Sequence, residues 1–296
     1  MEQTSQGHFP AQLSIIVPIT RMHGRLSGLH QWLAEVDFRK IEVILVHDVQ
    51  DELTSIDLQS LIVEYPLIKL IEQTVMSAGL ARNAGFRCAR ANWIVFWDSD
   101  DTPNVSALRH FLEHPDKESI DLFVFNFRID TRGSISNYRT TTWKDIALNP
   151  GIWRIIISKS TISRHSFPSF PLGEDQYFLA TLNLPSLRIR YIDEYLYTYQ
   201  IGANGQATAI KSNLPRLRES LSAINSIQIL QKGDSLSFTC ILYWRQILTL
   251  LKRGSFSIKL EATSIILSNF LKHRSNYKIN LQAMVFVFKK LMGRHV

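Results

Sequence analysis

Between residues 13 and 97 the chain repeats one pattern, a short apolar β-branched run followed by a stretch with apolar residues at helical spacing. LSIIVP (13–18) ends at a proline, Pro18, and reads as a buried parallel strand. Leu26, Leu29, Leu33 and Val36 share one helical face, and IEVILV (41–46) is a second buried strand. The pattern predicts a helix over 56–63, a strand over 68–71, a helix over 78–91 and a fourth strand, WIVFW, over 93–97. Such alternation implies a doubly wound α/β sheet. Ligands of these sheets lie beyond the carboxyl ends of the strands, so chemistry is expected at Asp48 and at residues 98–101.

Beyond Phe111 the pattern loosens. Residues 122–129 alternate like a strand, 143–145 read as polar loop, and 153–157 are apolar again. Gly173-Glu174-Asp175 opens an amphipathic helix through Gln176, Phe178, Leu179 and Leu182. Past Ile210 the chain reads as helices, with Pro215 near a start and Gly233 and Gly254 as punctuation. The expected organisation is a catalytic α/β domain over residues 12–210 and a basic helical appendage over 211–296.

Charge divides the same way. Residues 1–210 hold 19 Lys and Arg against 23 Asp and Glu, whereas residues 211–296 hold 14 against 3, so the net +7 resides in the tail. That asymmetry points to an acidic partner surface, such as the anionic inner face of a membrane. The apolar run AMVFVFKKL (283–291), with Lys289 and Lys290 at its end and Lys272, Arg274 and Lys278 upstream, is too short to span a bilayer but suits a peripheral contact. An ordinary helical subdomain packed on the catalytic core reads equally well. Cys88 and Cys240 form neither a disulfide framework nor a zinc site. MEQTSQGHFPA at the start has neither the basic segment nor the apolar run of a signal peptide, and a cytoplasmic location is expected.

Asp98-Ser99-Asp100-Asp101 places three carboxylates within four positions directly after a buried strand. Adjacent like charges raise one another's pKa values unless a cation lies among them, and Mg²⁺ or Mn²⁺ takes one or two carboxylate oxygens plus substrate phosphates. Read alone, the segment also fits a solvated turn in which Asp101 caps a helix after Thr102-Pro103.

The stretch SAGLARNAGFRCARANWIVFWDSDD (77–101) resembles the ARN-x-G and I-x-F-x-D-x-DD segment of family 2 glycosyltransferases, inverting enzymes of the GT-A fold found in bacterial polysaccharide synthesis. LSIIVPITRMHGRL resembles that family's first strand, EVILVHDVQD its second, and Gly173-Glu174-Asp175-Gln176 its acidic ED motif, all in the family's order across about residues 12–210. The resemblance implies a GT-A nucleotide-diphospho-sugar transferase fold with a mixed sheet and a helical C-terminal appendage. It implies a nucleotide-sugar donor, a glycan or lipid-linked acceptor, and Mn²⁺ or Mg²⁺ as cofactor. Asp98 and Asp100 would meet the ribose and the metal-diphosphate, with Asp100 foremost and then Asp98 as metal ligands, Asp48 the nucleobase, and Pro18, Arg82, Asn83 and Glu174 the substrate. Asp175 would be the base that deprotonates the acceptor hydroxyl. The chain departs from the family in having His47-Asp48-Val49-Gln50 where Asp-Asp-Gly-Ser is usual, and Thr20-Arg21 where an aromatic-Asn is usual, so Arg21 gains access to a phosphate. Trp97, Trp143 and Trp153 are candidates for stacking on a sugar, or for packing.

Three rival readings fare worse. A nucleotidyltransferase needs a glycine-rich basic loop after strand one, and only Gly24 and Gly28 lie nearby. An inactive glycan-binding scaffold would not retain Asp98, Asp100 and Asp175. A nucleic-acid binder would interleave basic and aromatic residues tightly, which the tail does not.

Overall fold

The computed structural model describes residues 11–74, 77–202, 214–253 and 256–292. The leader reading of the first residues falls almost wholly outside that range. The first half follows the expected alternation: β1 (Leu13–Ile19), α1 (Ser27–Leu33), β2 (Ile41–Asp48), α2 (Glu52–Glu64), β3 (Lys69–Gln73), α3 (Ala78–Cys88) and β4 (Trp93–Phe96). These four strands are parallel, in the order β3-β2-β1-β4. Residues on both faces of β1 are buried, which is why the run is continuously apolar. Leu13, Ile15 and Val17 pack with Leu29, Trp32 and Leu58 on one face, while Ile16 packs with Ala81 and Ala84 of α3 on the other. Gly85 lets α3 lie directly on β1, since a Cβ there would stand 2.3 Å from Ile16 Cγ2.

The second half completes the sheet: β5 (Thr102–Pro103), α4 (Arg109–Leu112), β6 (Leu122–Thr131), β7 (Ser134–Tyr138), α5 (Trp143–Leu148), β8 (Ile155–Ser158), α6 (Lys159–Ile162), α7 (Glu174–Thr181) and β9 (Ile189–Ile201). The sheet continues past β4 as β8-β6-β9-β5, with β7 on β6. β8 is antiparallel to both β4 and β6, and β9 is parallel to β6, so the sheet is mixed. Two local expectations change. Residues 143–145 start a helix instead of lying in a loop, because Thr142 and Asp145 form a reciprocal capping box. Thr102-Pro103 pairs with β9 instead of opening a helix, so Asp101 is not a helix cap.

The basic region folds as α8 (Leu214–Gln228), α9 (Gly233–Arg253), α10 (Phe256–Lys272) and α11 (Tyr277–Met292). It is built into the sheet's face. One apolar cluster contains Ile16 and Phe96 of the sheet, Phe178 and Leu179 of α7, and Leu221, Ile224, Trp244 and Val287 of the C-terminal helices. Trp143 meets Phe238 at 6.2 Å between ring centroids, and Gln231 Nε2 donates to the Ala180 carbonyl at 3.2 Å. Trp244 Nε1 donates to Asn280 Oδ1 at 3.2 Å, tying α9 to α11. Among the described residues no helix is long and apolar enough to cross a membrane.

Candidate active site

The turn after β4 is shaped from a distant strand. The Asp98 backbone N–H donates to the Tyr197 hydroxyl at 2.9 Å, and the Gln200 backbone N–H donates to Asp101 Oδ1 at 2.8 Å, both partners lying on β9. Tyr197 is itself stacked on Trp153, ring centroids 4.6 Å apart. Asp101 is thereby turned inward, and burial, then the charges of Asp98 and Asp100, raise its pKa well above the carboxylate range. Asp98, Ser99 and Asp100 are left to line a cavity of about 460 Å³ at the carboxyl end of the parallel strands. The cluster thus divides into one interior carboxyl and two that face the cavity.

Arg82, on α3, joins this turn to α7. It is 4% exposed, donating from Nη2 to Asp98 Oδ1 at 2.7 Å and from Nη1 to Glu174 Oε1 at 2.8 Å. Burial opposes its charge, but Asp98 and then Glu174 outweigh that penalty and raise its pKa, so the guanidinium is always charged. The approach of α3 to α7 depends on Gly79, where a Cβ would lie 2.3 Å from the Pro168 carbonyl oxygen and 3.3 Å from Glu174 Cγ. Asn83 has a different position from the one expected of a donor contact. Its amide donates to the Phe167 carbonyl at 2.7 Å and accepts from the Phe167 N–H at 2.9 Å, outside the cavity lining. It clamps the segment that leads into α7.

Glu174 and Asp175 form the first turn of α7, where the helix dipole favours negative charge. Asp175 lines the cavity and accepts from the Gln176 N–H at 2.7 Å. Burial first, and then the neighbouring Glu174 charge, push its pKa up to about 7 against the lowering effect of Arg82. A carboxylate poised there exchanges protons near neutral pH, as a general base must.

Pro18 lines the cavity, as do Arg21 and Arg25. Asp48 lies outside the lining: the register pairs Ile19 with His47, which sets Asp48 level with the lining residue Thr20, and its carboxylate accepts the Gln50 N–H at 3.1 Å. His47 is buried, with Nδ1 3.3 Å from the Ile19 carbonyl, and has a packing role. Trp97 packs in the interior and the half-buried Trp143 packs against Phe238, both away from the cavity, while Trp153 forms part of its wall. Sequence reasoning missed Tyr197, Gln200 and Arg245, the last a cavity residue contributed by α9. The tyrosines at 191, 195, 197 and 199 alternate at a strand's period and carried the signal for β9.

The donor set suits a hard divalent cation. Two carboxylates, Asp98 and Asp100, share the cavity wall, while Asp101 is withdrawn. Among the described residues no three His, Cys, Asp or Glu side chains gather into a metal cage. An ion here would take the rest of its shell from phosphate and water, as Mg²⁺ does.

Known proteins agree with this architecture. The chain is 17% identical to S. aureus TarS 1-349, solved in complex with UDP-GlcNAc, at a TM-score of 0.68 over 94% of this chain and 81% of that one. It is 14% identical to the mannosyltransferase PcManGT of Pyrobaculum calidifontis, solved with GDP-Man and Mn²⁺, at a TM-score of 0.50 over 96% of this chain and 88% of that one. These similarities establish the fold. In sequence it is 23% identical to a poly(ribitol-phosphate) beta-glucosyltransferase of Bacillus spizizenii over 67% of this chain and 34% of the relative. The chain spans between 29% and 60% of the length of the curated relatives it matches. The profile of glycosyl transferase family 2 matches residues 14–176, more than half of the chain and all of the segments that build the cavity's acidic wall, and the protein belongs to that family of glycosyltransferases.

Proposed function

We propose that the cavity moves a sugar from a nucleotide-diphosphate donor, a uridine diphosphate sugar first among candidates, to a hydroxyl of a glycan or lipid-linked acceptor, with inversion. The observation that carries this reading is the placement of Asp175, at the start of α7, on the cavity wall it shares with Asp98 and Asp100. In its ionised form Asp175 accepts the proton of the acceptor hydroxyl as that oxygen attacks the anomeric carbon opposite the departing nucleotide. Asp100 and Asp98 would hold Mg²⁺ or Mn²⁺ together with the diphosphate, and the ion supplies charge stabilisation for the leaving group. Arg82 keeps Asp98 and Glu174 in register and moderates the pKa of Asp175. Arg21 and Arg25 offer further positive charge to a diphosphate, and Asp48, outside the lining but level with Thr20, is assigned to the nucleobase. A screen of nucleotide sugars with Mn²⁺ and Mg²⁺, reading nucleotide release, tests the reading. Release should require a divalent cation and fall about a thousandfold in Asp100→Ala, since such an ion contributes several kcal/mol. Undiminished release in excess chelator would remove the metal from the account.

A peripheral contact with an anionic membrane is a further element of this reading. α11 buries Ala283 and Val287 in the core and exposes Tyr277, Leu281, Val285 and Phe288 at spacings of four, four and three residues, a single outward stripe. Phe256, Leu260 and Leu267 are exposed on α10, and Lys259 and Lys278 are exposed beside these residues. The side chains of Lys272 and Arg274, also expected to contribute, lie outside the described residues. Because α11 is part of the core, the suitable variant is Leu281→Gln with Phe288→Gln instead of a truncation. That variant should lose co-sedimentation with anionic vesicles, and equal sedimentation of both proteins would return the stripe to ordinary surface.

A further inference from the structure

A second cavity, of about 480 Å³, opens where β7 ends, beside α5 and the last turn of α11. Among the described residues Arg139, Lys289 and Lys290 line it, with Asp145 as the one carboxylate and Asn149 as a residue shared with the first cavity. Asp145 is turned to its own helix start: its Oδ2 accepts the backbone N–H groups of Thr141 and Thr142 at 3.1 and 2.9 Å and both threonine hydroxyls at 3.2 and 2.9 Å. The buried Arg154 also feels its charge. Arg139 has a carboxylate at 3.8 Å, Asp193, but both side chains are about 70% exposed, and such a pair contributes little. Among the described residues no carboxylate pairs with Lys289 or Lys290. The dipole of α11 favours lysines in its last turn. It does not account for an arginine from a different element facing the same cavity.

We propose that this cavity binds a phosphate group belonging to the acceptor. The inference rests on the sugar-transfer reading of the first cavity and adds the acceptor's chemical class. Three cations against the single carboxylate of Asp145 leave the described lining positive and without the paired acids of the first cavity, so an anion here is met directly. A guanidinium fork and two ammonium point charges suit a tetrahedral oxyanion. Because Asn149 belongs to both cavities, a molecule with its hydroxyl in the first cavity can place a phosphate in the second, as a phosphodiester-linked polyol or a lipid-linked phosphate would.

The test uses the full chain with its donor site filled by UDP. A phosphodiester-linked polyol oligomer, the same polyol without phosphate, and anionic phosphatidylglycerol vesicles are titrated in turn. The oligomer should bind, more weakly as salt rises, and the free polyol should not. Lys289→Glu with Lys290→Glu, and Arg139→Ala separately, should each weaken oligomer binding at least tenfold. The charge-matched control Lys40→Glu with Lys252→Glu should not, and UDP affinity reports folding in every variant. Equal binding of oligomer and polyol, or unaltered binding by the lysine and arginine variants, overturns the proposal. So does a loss confined to the vesicles, which would give these lysines to the membrane. If UDP fails to bind the wild-type chain, the uridine assignment falls, and if no nucleoside diphosphate binds with Mn²⁺ or Mg²⁺ the sugar-transfer reading falls, while the oligomer titration still judges the cavity.

Discussion

Arg82 and Arg154 are both sealed inside the protein, and they belong to opposite kinds of site. Arg82 joins two carboxylates at the charged end of the cavity, Asp98 and Glu174, with a third, Asp175, close enough to feel it. Arg154 lies behind the aromatic end, its guanidinium carbon 4.4 Å from the ring centroid of Phe127 and 5.5 Å from that of Trp153. Among the described residues its one hydrogen bond reaches the Gly151 carbonyl at 3.5 Å, and Nε and Nη2 have none. Burial pulls its pKa down to about 9, so it still carries its charge at neutral pH. The contrast separates two uses of one side chain: at the charged end the arginine makes a cluster of acids tolerable, and at the aromatic end the rings make a lone cation tolerable.

The largest effect is expected at the charged end. Asp175→Asn should retain donor affinity and lose about a hundredfold to ten-thousandfold in turnover, the usual range for a general base. In the wild type, kcat/KM should rise with pH through about 7 and level off above it, because Asp175 works only when ionised. Removing the lowering effect of Arg82 should move that limb to higher pH, so Arg82→Lys, which keeps a charge but not the fork, should move it less than Arg82→Met. A limb that stays in place in Asp175→Asn assigns the proton to another group, with Glu174 first in line.

The direct comparison is of stability. Arg82→Met leaves two partly buried carboxylates, Asp98 and Glu174, without their partner and should cost about 3 kcal/mol in denaturant unfolding, the low end of the range for breaking a buried pair. Arg154→Met removes a buried cation that no carboxylate pairs with and should be neutral or stabilising, by up to about 1 kcal/mol, since well-packed apolar replacements of buried charges commonly are. Equal losses at the two positions would break the distinction. A smaller effect is expected from Tyr197→Phe, which deprives the Asp98 N–H of its acceptor and Asp101 of a partner. A cost of about 1–3 kcal/mol with weakened metal dependence is expected, because the same bonds hold the acidic turn.

The halves of the sheet differ in how much of them could be read beforehand. β1, β2 and β4 were legible because strands buried on both faces are continuous apolar runs, and β3, a partly exposed edge strand, by its place in the regular alternation with helices. β9 was not, since its partly exposed faces mix Arg, Asp, Glu and Tyr and its pairing with β6 shifts register near Asn126. Its burial pattern follows from neighbours more than 60 residues away in the chain. The same distinction holds within the site. The acidic turn and the ED pair were visible as local motifs. Asn83 belongs to an equally visible motif, yet its amide is engaged by Phe167, 84 residues away, and no local pattern reports that.

By itself the sequence determined the parallel half of the fold, the strand end that carries Asp98 and Asp100, and the helix start that carries Glu174 and Asp175. These depend on periodicity and on charges adjacent in the chain. Tertiary structure alone decided that Asp101 turns inward, that Arg82 ties Asp98 to Glu174, that Asp175 rises to about 7, and that the basic tail forms a wall of the core. The physical reason is that a side chain's charge state and role depend on burial and on which charges stand within a few ångströms, and here, Glu174 beside Asp175 apart, those partners come from segments 16 to 99 residues apart.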